Sequence, residues 1–197
     1  MSDFWMYVKL GLNHVLDIKG YDHVLFLIAL TVPYVFRDWK RILLLVSVFT
    51  IGHTTALLLA VFRVVTIKAE IVEFLIPITI LMTAIFALIS AGKSAKAGSN
   101  GTVLGITLLF GIVHGLGFSN YFVSMLGGKP SDQILPLLEF ALGIEIAQVI
   151  VVVAVLIIGF MVQKFLKFSR RDWTLVASAF VIGVVVPLIL ENEIWKG

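Results

Sequence analysis

Two histidines and two aspartates stand in the stretch His14-Val-Leu-Asp-Ile-Lys-Gly-Tyr-Asp-His23, immediately before a long apolar run that begins at Val24. The chain has four histidines in all, so half of them lie in this stretch. Ionisable side chains are costly in a segment that enters a bilayer, and they persist where they have a partner or a role. The stretch therefore indicates a functional reason for placing imidazole and carboxylate groups at the start of an apolar helix.

The composition is typical of an integral membrane protein. Hydrophobic residues make up 60% of the 197 residues, charged residues make up 14%, and the mean hydropathy is +1.08. A soluble domain carries about 25% charged residues. Apolar runs recur along the whole chain, which predicts a single membrane domain over residues 1–197. The absence of cysteine excludes disulfides and thiolate ligands, and no basic patch suggests nucleic-acid binding.

Six apolar segments approach or reach the length of about 20 residues that spans a bilayer. They are residues 21–36, 42–65, 71–90, 102–126, 134–160 and 173–190. Residues 4–18 mix apolar and polar side chains, which predicts an amphipathic helix that lies at the interface or re-enters the bundle. We therefore expect an all-α integral membrane protein: an interfacial N-terminal segment 1–20, then a compact bundle of about six transmembrane helices over residues 21–190.

The distribution of basic residues predicts the orientation. Of the 15 lysines and arginines, nine fall in the first, third and fifth loops and six fall on the other side, which includes both termini. Cytoplasmic loops are enriched in Lys and Arg. We expect a multi-pass membrane protein with both termini on the outer side, which would place His14, Asp22 and His23 at the outer face.

Three further ionisable side chains lie deep inside predicted spans, away from their ends. His53 and His114 are each near the middle of a span, and Glu145 lies in the fifth span with Gln148 three residues later on the same helical face. Gly111 and Gly115 bracket His114 at the small-residue spacing that lets two helices approach closely. Such an approach would bring imidazoles from separate helices within reach of one ion.

Imidazole and carboxylate together suit borderline divalent metals, and nickel, cobalt, zinc, copper and iron are not distinguished by these residues. A single membrane histidine is often no more than a hydrogen-bonding contact between helices, but ionisable residues on several segments favour a shared site. The candidate metal ligands are His14, Asp22, His23, His53, His114 and Glu145. Asp17 is equally explained as an interfacial residue, and Gln148 as an interhelical hydrogen-bonding residue.

Four motifs in this order resemble the HupE/UreJ family of bacterial membrane proteins. The matching stretches are Gly11-Leu-Asn-His14 continuing to Gly20-Tyr-Asp-His-Val-Leu-Phe-Leu27, Phe49-Thr-Ile-Gly-His-Thr54, Phe110-Gly-Ile-Val-His-Gly-Leu-Gly-Phe118 and Phe140-Ala-Leu-Gly-Ile-Glu-Ile-Ala-Gln148. The resemblance implies a protein of the bacterial inner membrane that serves nickel or cobalt acquisition for hydrogenase and urease, so that the outer side, with both termini, would be the periplasmic side. It also implies that the six candidate ligands handle the metal.

The leading hypothesis is a permease for a nickel- or cobalt-like divalent ion. One alternative is an intramembrane metalloenzyme whose metal stays fixed, although no His-Glu-x-x-His motif occurs. Another is an assembly or structural subunit without metal, in which polar residues join helices. The residues favour a transporter or metal-binding protein over an enzyme. The expected partners are the bilayer and the metal ion, with a second copy of the chain or a metalloenzyme-maturation protein as further candidates.

Overall fold

A computed structural model describes residues 2–92, 100–126 and 129–195, and within them the regular structure is entirely helical. Lys93, Lys96 and Lys196, which contribute to the charge count, lie outside the described residues. The α-helices are α1 (Ser2–Leu16), α2 (Asp22–Thr31), α3 (Trp39–Val61), α4 (Ala69–Ile89), α5 (Asn100–Leu126), α6 (Ile134–Phe165) and α7 (Arg170–Leu190). Short 3₁₀ turns precede α2, α3 and α6 and follow α7.

Five of these helices, α3 to α7, are long and apolar enough to cross a membrane. They coincide with the second to sixth predicted spans, and they confirm the expected all-α membrane fold. Hydrogen bonds connect distant parts of the chain at helix ends: the Thr174 hydroxyl of α7 donates to Val32 O at the end of α2 over 3.1 Å, and Asn192 Nδ2, just after α7, donates to Glu73 O of α4 over 3.4 Å.

The first predicted span is shorter than residues 21–36. The helix α2 has ten residues, so it is about 15 Å long and covers half of the hydrocarbon thickness. Pro33 follows closely after its last residue and disfavours further helix, because proline lacks an amide donor and restricts the residue before it. Seven of the ten side chains are buried, as expected for a helix that is apolar on nearly all sides. It packs against α4, α6 and α7.

The N-terminal helix α1 packs along α6. Val8 and Val15 are fully buried, while Trp5 and Met6 on the other face are exposed, which is the amphipathic pattern expected of this segment. A Cβ at Gly11 would collide with the carbonyl oxygen of Phe140, and one at Gly143 would collide with that of Val8. Glycine is therefore required on both helices at this crossing, which holds the end of α1 against the bundle. Its depth in the bilayer stays a prediction.

Candidate metal centre

The four histidines come from four different helices and meet inside the bundle. His14 is in the last turn of α1, His23 is the second residue of α2, and His53 and His114 lie within α3 and α5. The rings of His14 and His23 are 4.6 Å apart, centroid to centroid, and each is within 5.7 Å of the His53 ring. The His114 ring is 5.2 Å from that of His23. The chain therefore gathers all of its imidazoles into one cluster.

Three of these residues have the geometry of a metal site. One ring nitrogen each from His14, His23 and His53 lies within 4.8 Å of the other two, so that a single ion could contact all three. Three imidazoles are a common ligand set for a divalent transition metal, with a remaining position open to water or to a passing ligand. We call His14, His23 and His53 the imidazole site.

Glycines on α3 and α5 make this convergence feasible. A Cβ at Gly115 would collide with the carbonyl oxygen of His53, and one at Gly111 would collide with that of Phe49. On the facing helix, a Cβ at Gly52 would collide with Leu108 O. The backbones of α3 and α5 are therefore in direct contact beside the histidines, as the small-residue spacing around His114 predicts.

Each histidine of the cluster has at least one ring nitrogen without a hydrogen-bond partner. This holds for Nε2 of His14, His23 and His114 and for both nitrogens of His53, within the part of the chain that the structure describes. His23, His53 and His114 are each at most 2% exposed. A buried polar atom without a partner costs about 1–3 kcal/mol, and a metal ion would satisfy several of these lone pairs at once. The donor set therefore fits a transition metal.

Hydrogen bonds to Nδ1 in two of the rings leave Nε2 free to bind. His23 Nδ1 donates to Asp22 Oδ1 over 3.2 Å, and His114 Nδ1 donates to Phe110 O over 2.8 Å. With the proton on Nδ1, each Nε2 carries an unprotonated lone pair. A carboxylate behind a ligating imidazole also orients the ring and raises its basicity. Asp22 thus contacts His23 from behind and does not belong to the group of three converging nitrogens.

The helix ends near the cluster act in opposite directions on a cation. The carboxyl-terminal end of α1, next to His14, carries a partial negative charge and favours a cation. The amino-terminal end of α2 carries a partial positive charge and disfavours one, and no side chain caps it. Asp22 lies in the first turn of α2, where its carboxylate offsets that charge. Asp22 therefore makes the local potential suitable for a cation.

Aromatic side chains surround the imidazoles. The Phe118 ring is 4.0 Å from that of His14, Phe49 is 5.1 Å from His114, and Phe140 is 6.3 Å from His53. Rings at these distances exclude water and lower the local dielectric constant, which strengthens interactions between a charge and its ligands. The site is polar at its centre and apolar around it.

An open pocket of about 900 Å³ leads to His14 from the surface. Its walls come from the end of α1, the turn that follows α1, and α5; the lining residues are Leu10, Asn13, His14, Leu16, Asp17, Ile18, Phe118 and Tyr121. His14 is the member of the imidazole site that this pocket reaches. Asp17 lines the same pocket.

Glu145 does not join the histidines in that group of three. Its Oε1 accepts a hydrogen bond from the Ser47 hydroxyl over 2.6 Å, and its Oε2 accepts one from the Thr50 hydroxyl. Thr50 also lies 2.9 Å from Gln148 Oε1. Gln148 therefore contacts α3 beside Glu145, on the helical face that its position three residues after Glu145 predicts. The six residues predicted as ligands therefore separate into three groups. His14, His23 and His53 form the imidazole site, and Asp22 and His114 lie beside it. Glu145 lies apart, among hydroxyl and amide groups between α3 and α6.

Sequence reasoning missed Phe118 and Ser47. Phe118 follows His114 by four residues, so helical spacing could have placed it on the same face. Ser47 precedes Thr50 by three residues, which is a similar signal. Neither spacing shows that Phe118 contacts a ring on α1 or that Ser47 contacts α6.

Five apolar spans and a buried group of unpartnered imidazoles define a polytopic membrane protein with a candidate transition-metal site. No curated protein and no solved structure matches the chain. A family profile described as HupE / UreJ protein matches residues 1–191. The chain therefore belongs to the HupE/UreJ family, as its motifs predict, and is a membrane protein of the nickel/cobalt transporter type.

Proposed function

We propose that the protein is a permease for a divalent transition-metal ion such as Ni²⁺ or Co²⁺. The observation that supports this most directly is the convergence of nitrogens from His14, His23 and His53, each with an unpartnered ring nitrogen, beside an open pocket that His14 lines. The ion enters through the pocket, loses water, and is bound by the three imidazoles. It then passes to His114 and Glu145 deeper in the bundle.

Each ligand has a distinct part in this proposal. The imidazoles replace the water ligands of the ion, and the Asp22 carboxylate offsets both the charge of the ion and the dipole of α2. His114 offers a further lone pair beside His23, which gives the ion a place to move to. Movement needs weak enough binding at each step for the ion to leave.

The direct test is uptake of Ni²⁺ or Co²⁺ into vesicles that contain the purified protein, with and without an imposed membrane potential. Wild-type protein should show flux, and His53→Ala and His114→Ala should lose it. Thr55→Ala is the matched control, because Thr55 is two residues from His53 on α3 but is exposed, and its hydroxyl donates to Ile51 O in its own helix. Wild-type flux in both histidine variants would contradict the proposal.

Two other outcomes would replace it. Stoichiometric metal that survives purification, together with no flux in the wild-type protein, would indicate a fixed site of a metalloenzyme. No bound metal at micromolar supply would indicate a structural or assembly subunit. Elemental analysis of the purified protein distinguishes these cases.

We further propose the bacterial inner membrane as the location, with both termini on the periplasmic side. The support is the excess of Lys and Arg in the loops on the other side. The chain has no cysteine, so a single introduced cysteine is the one thiol that can be labelled, and its reactivity shows on which side of the membrane it lies. Val64→Cys in the α3–α4 loop should react with an impermeant maleimide in whole spheroplasts, and Phe168→Cys in the α6–α7 loop should not. The reverse labelling pattern would indicate the opposite orientation in the membrane.

A further inference from the structure

The polar side chains around Glu145 form a cluster in which oxygen is the principal ligand atom. Ser47 and Thr50 on α3 face Glu145 and Gln148 on α6. The cluster presents two hydroxyls, a carboxylate and an amide carbonyl. We call these four residues the oxygen cluster. Thr50 precedes His53 by three residues, so the cluster lies about 4.5 Å farther along α3 than the imidazole site, toward Trp39.

The side chains of the cluster bond mainly to one another. The Thr50 hydroxyl lies within hydrogen-bonding distance of Glu145 Oε2, of the Gln148 amide and of Val46 O in its own helix. A hydroxyl carries one proton, so Thr50 donates to one of these oxygens at a time. Gln148 is fully buried, and rotation of its amide presents either the oxygen or the NH₂ group to Thr50. The amide can therefore offer its oxygen to a cation or a proton to the hydroxyl.

The cluster also lacks a positive charge. Among the residues described here, no Lys, Arg or His side chain forms an ion pair with Glu145; the ion pairs found are His23 with Asp22 and Arg170 with Asp38. A carboxylate inside a membrane span costs several kcal/mol unless it is paired. Two hydroxyl donors offset only part of this cost. A cation in the cluster would supply the charge, with the Glu145 carboxylate and the hydroxyl and amide oxygens as its ligands.

We propose that Ser47, Thr50, Glu145 and Gln148 form a second cation site, which the transported ion occupies after it leaves the imidazole site. This proposal rests on the proposed function, and it adds which ligands form a second binding site on the path of the ion. Oxygen ligands bind borderline metals less tightly than imidazole does and suit harder ions such as Mn²⁺. The oxygen cluster is therefore the weaker of the two sites, from which an ion can be released.

The different ligands allow the two sites to be measured separately in the intact protein. Co²⁺ bound to imidazoles has a visible d–d absorption spectrum, and bound Mn²⁺ is followed by loss of the free-ion electron paramagnetic resonance signal. In the His14→Ala/His53→Ala protein, we expect Mn²⁺ binding to persist and the Co²⁺ spectrum to disappear. Adding Glu145→Gln to that protein should weaken Mn²⁺ binding at least tenfold, and Glu145→Asp should restore part of it.

Ser47→Ala should give an intermediate loss of Mn²⁺ binding, because it removes one hydroxyl and leaves the carboxylate. Thr55→Ala is again the control on α3 and should bind Mn²⁺ as its parent does. Circular dichroism and thermal unfolding verify that each variant is folded, and Thr50→Ser provides a second conservative variant that retains the hydroxyl.

Unchanged Mn²⁺ binding in the Glu145→Gln protein would overturn the second site. Loss of Mn²⁺ binding in the His14→Ala/His53→Ala protein would also overturn it, since that loss would show a single shared site. Failure of the proposed function gives a different result, namely no Co²⁺ spectrum and no flux in the wild-type protein, whatever Mn²⁺ does.

Discussion

The imidazole site and the oxygen cluster are neighbours on α3, but their side chains are arranged in opposite ways. In the imidazole site the converging nitrogens have no hydrogen-bond partners, and aromatic rings surround them. In the oxygen cluster both carboxylate oxygens of Glu145 already accept hydrogen bonds from hydroxyls. The first arrangement is ready to bind an ion without breaking protein contacts, and the second must reorient its hydroxyls to do so. This difference predicts tight and weak binding, respectively.

The largest effect should follow loss of His23, because its ring contacts those of His14, His53 and His114. We expect His23→Ala to weaken Co²⁺ binding about 100-fold or more, since loss of even an outer partner of a metal ligand costs 10–100-fold. Thr31→Val on the same helix is the control, because Thr31 is also buried but lies at the other end of α2. Isothermal titration calorimetry with Co²⁺ measures the affinity of both variants. Near-wild-type affinity in His23→Ala would show that His23 is not a ligand.

Breaking the contact between α3 and α5 should have the next largest effect. Gly115→Ala introduces a Cβ that collides with the backbone of His53, whereas Gly105→Ala on the same helix meets nothing within 4 Å. We expect Gly115→Ala to lower the thermal unfolding temperature and to weaken Co²⁺ binding. Gly105→Ala should be neutral or stabilising by up to about 1 kcal/mol, because glycine disfavours a helix. Equal unfolding temperatures for the two variants would contradict the close approach.

Asp22→Asn should have a moderate effect on the imidazole site. The amide lacks the charge that offsets the α2 dipole, and it is a weaker acceptor for His23 Nδ1. We expect Co²⁺ affinity to fall about 10-fold, with the fold preserved. Asp132→Asn, in the exposed turn before α6, is the control for loss of one negative charge. An equal fall in both variants would point to a general electrostatic effect.

The smallest effect on Co²⁺ binding should come from Thr50→Val. This change removes the hydroxyl that donates to Glu145 but does not touch a ring nitrogen. We expect Co²⁺ affinity to change by about twofold or less, because sites without shared partners act nearly independently. The same variant should weaken Mn²⁺ binding in the His14→Ala/His53→Ala protein. A large loss of Co²⁺ affinity would instead indicate that the two groups of residues form a single site.

The long helices could be predicted from the sequence because their apolar runs exceed the thickness of a bilayer, and α3 to α7 follow the predicted spans closely. The length of α2 was overestimated, since the apolar residues after Thr31 continue the hydropathy signal although Pro33 ends the helix. His14, His23 and His53 were predicted as ligands from their polar character in apolar surroundings. Their separation from Glu145 could not be predicted, because it depends on how α3 and α6 face each other.

The shortness of α2 also constrains how the protein is made. A helix of ten residues does not span the hydrocarbon layer and cannot hold a stable transmembrane position alone. Its buried position depends on α4, α6 and α7, which are synthesised after it. The N-terminal part of the chain therefore carries its histidines for most of translation without a finished site. The metal centre becomes complete only when the C-terminal helices have inserted, so a chain truncated before α6 would contain all four imidazoles and still be unable to arrange them.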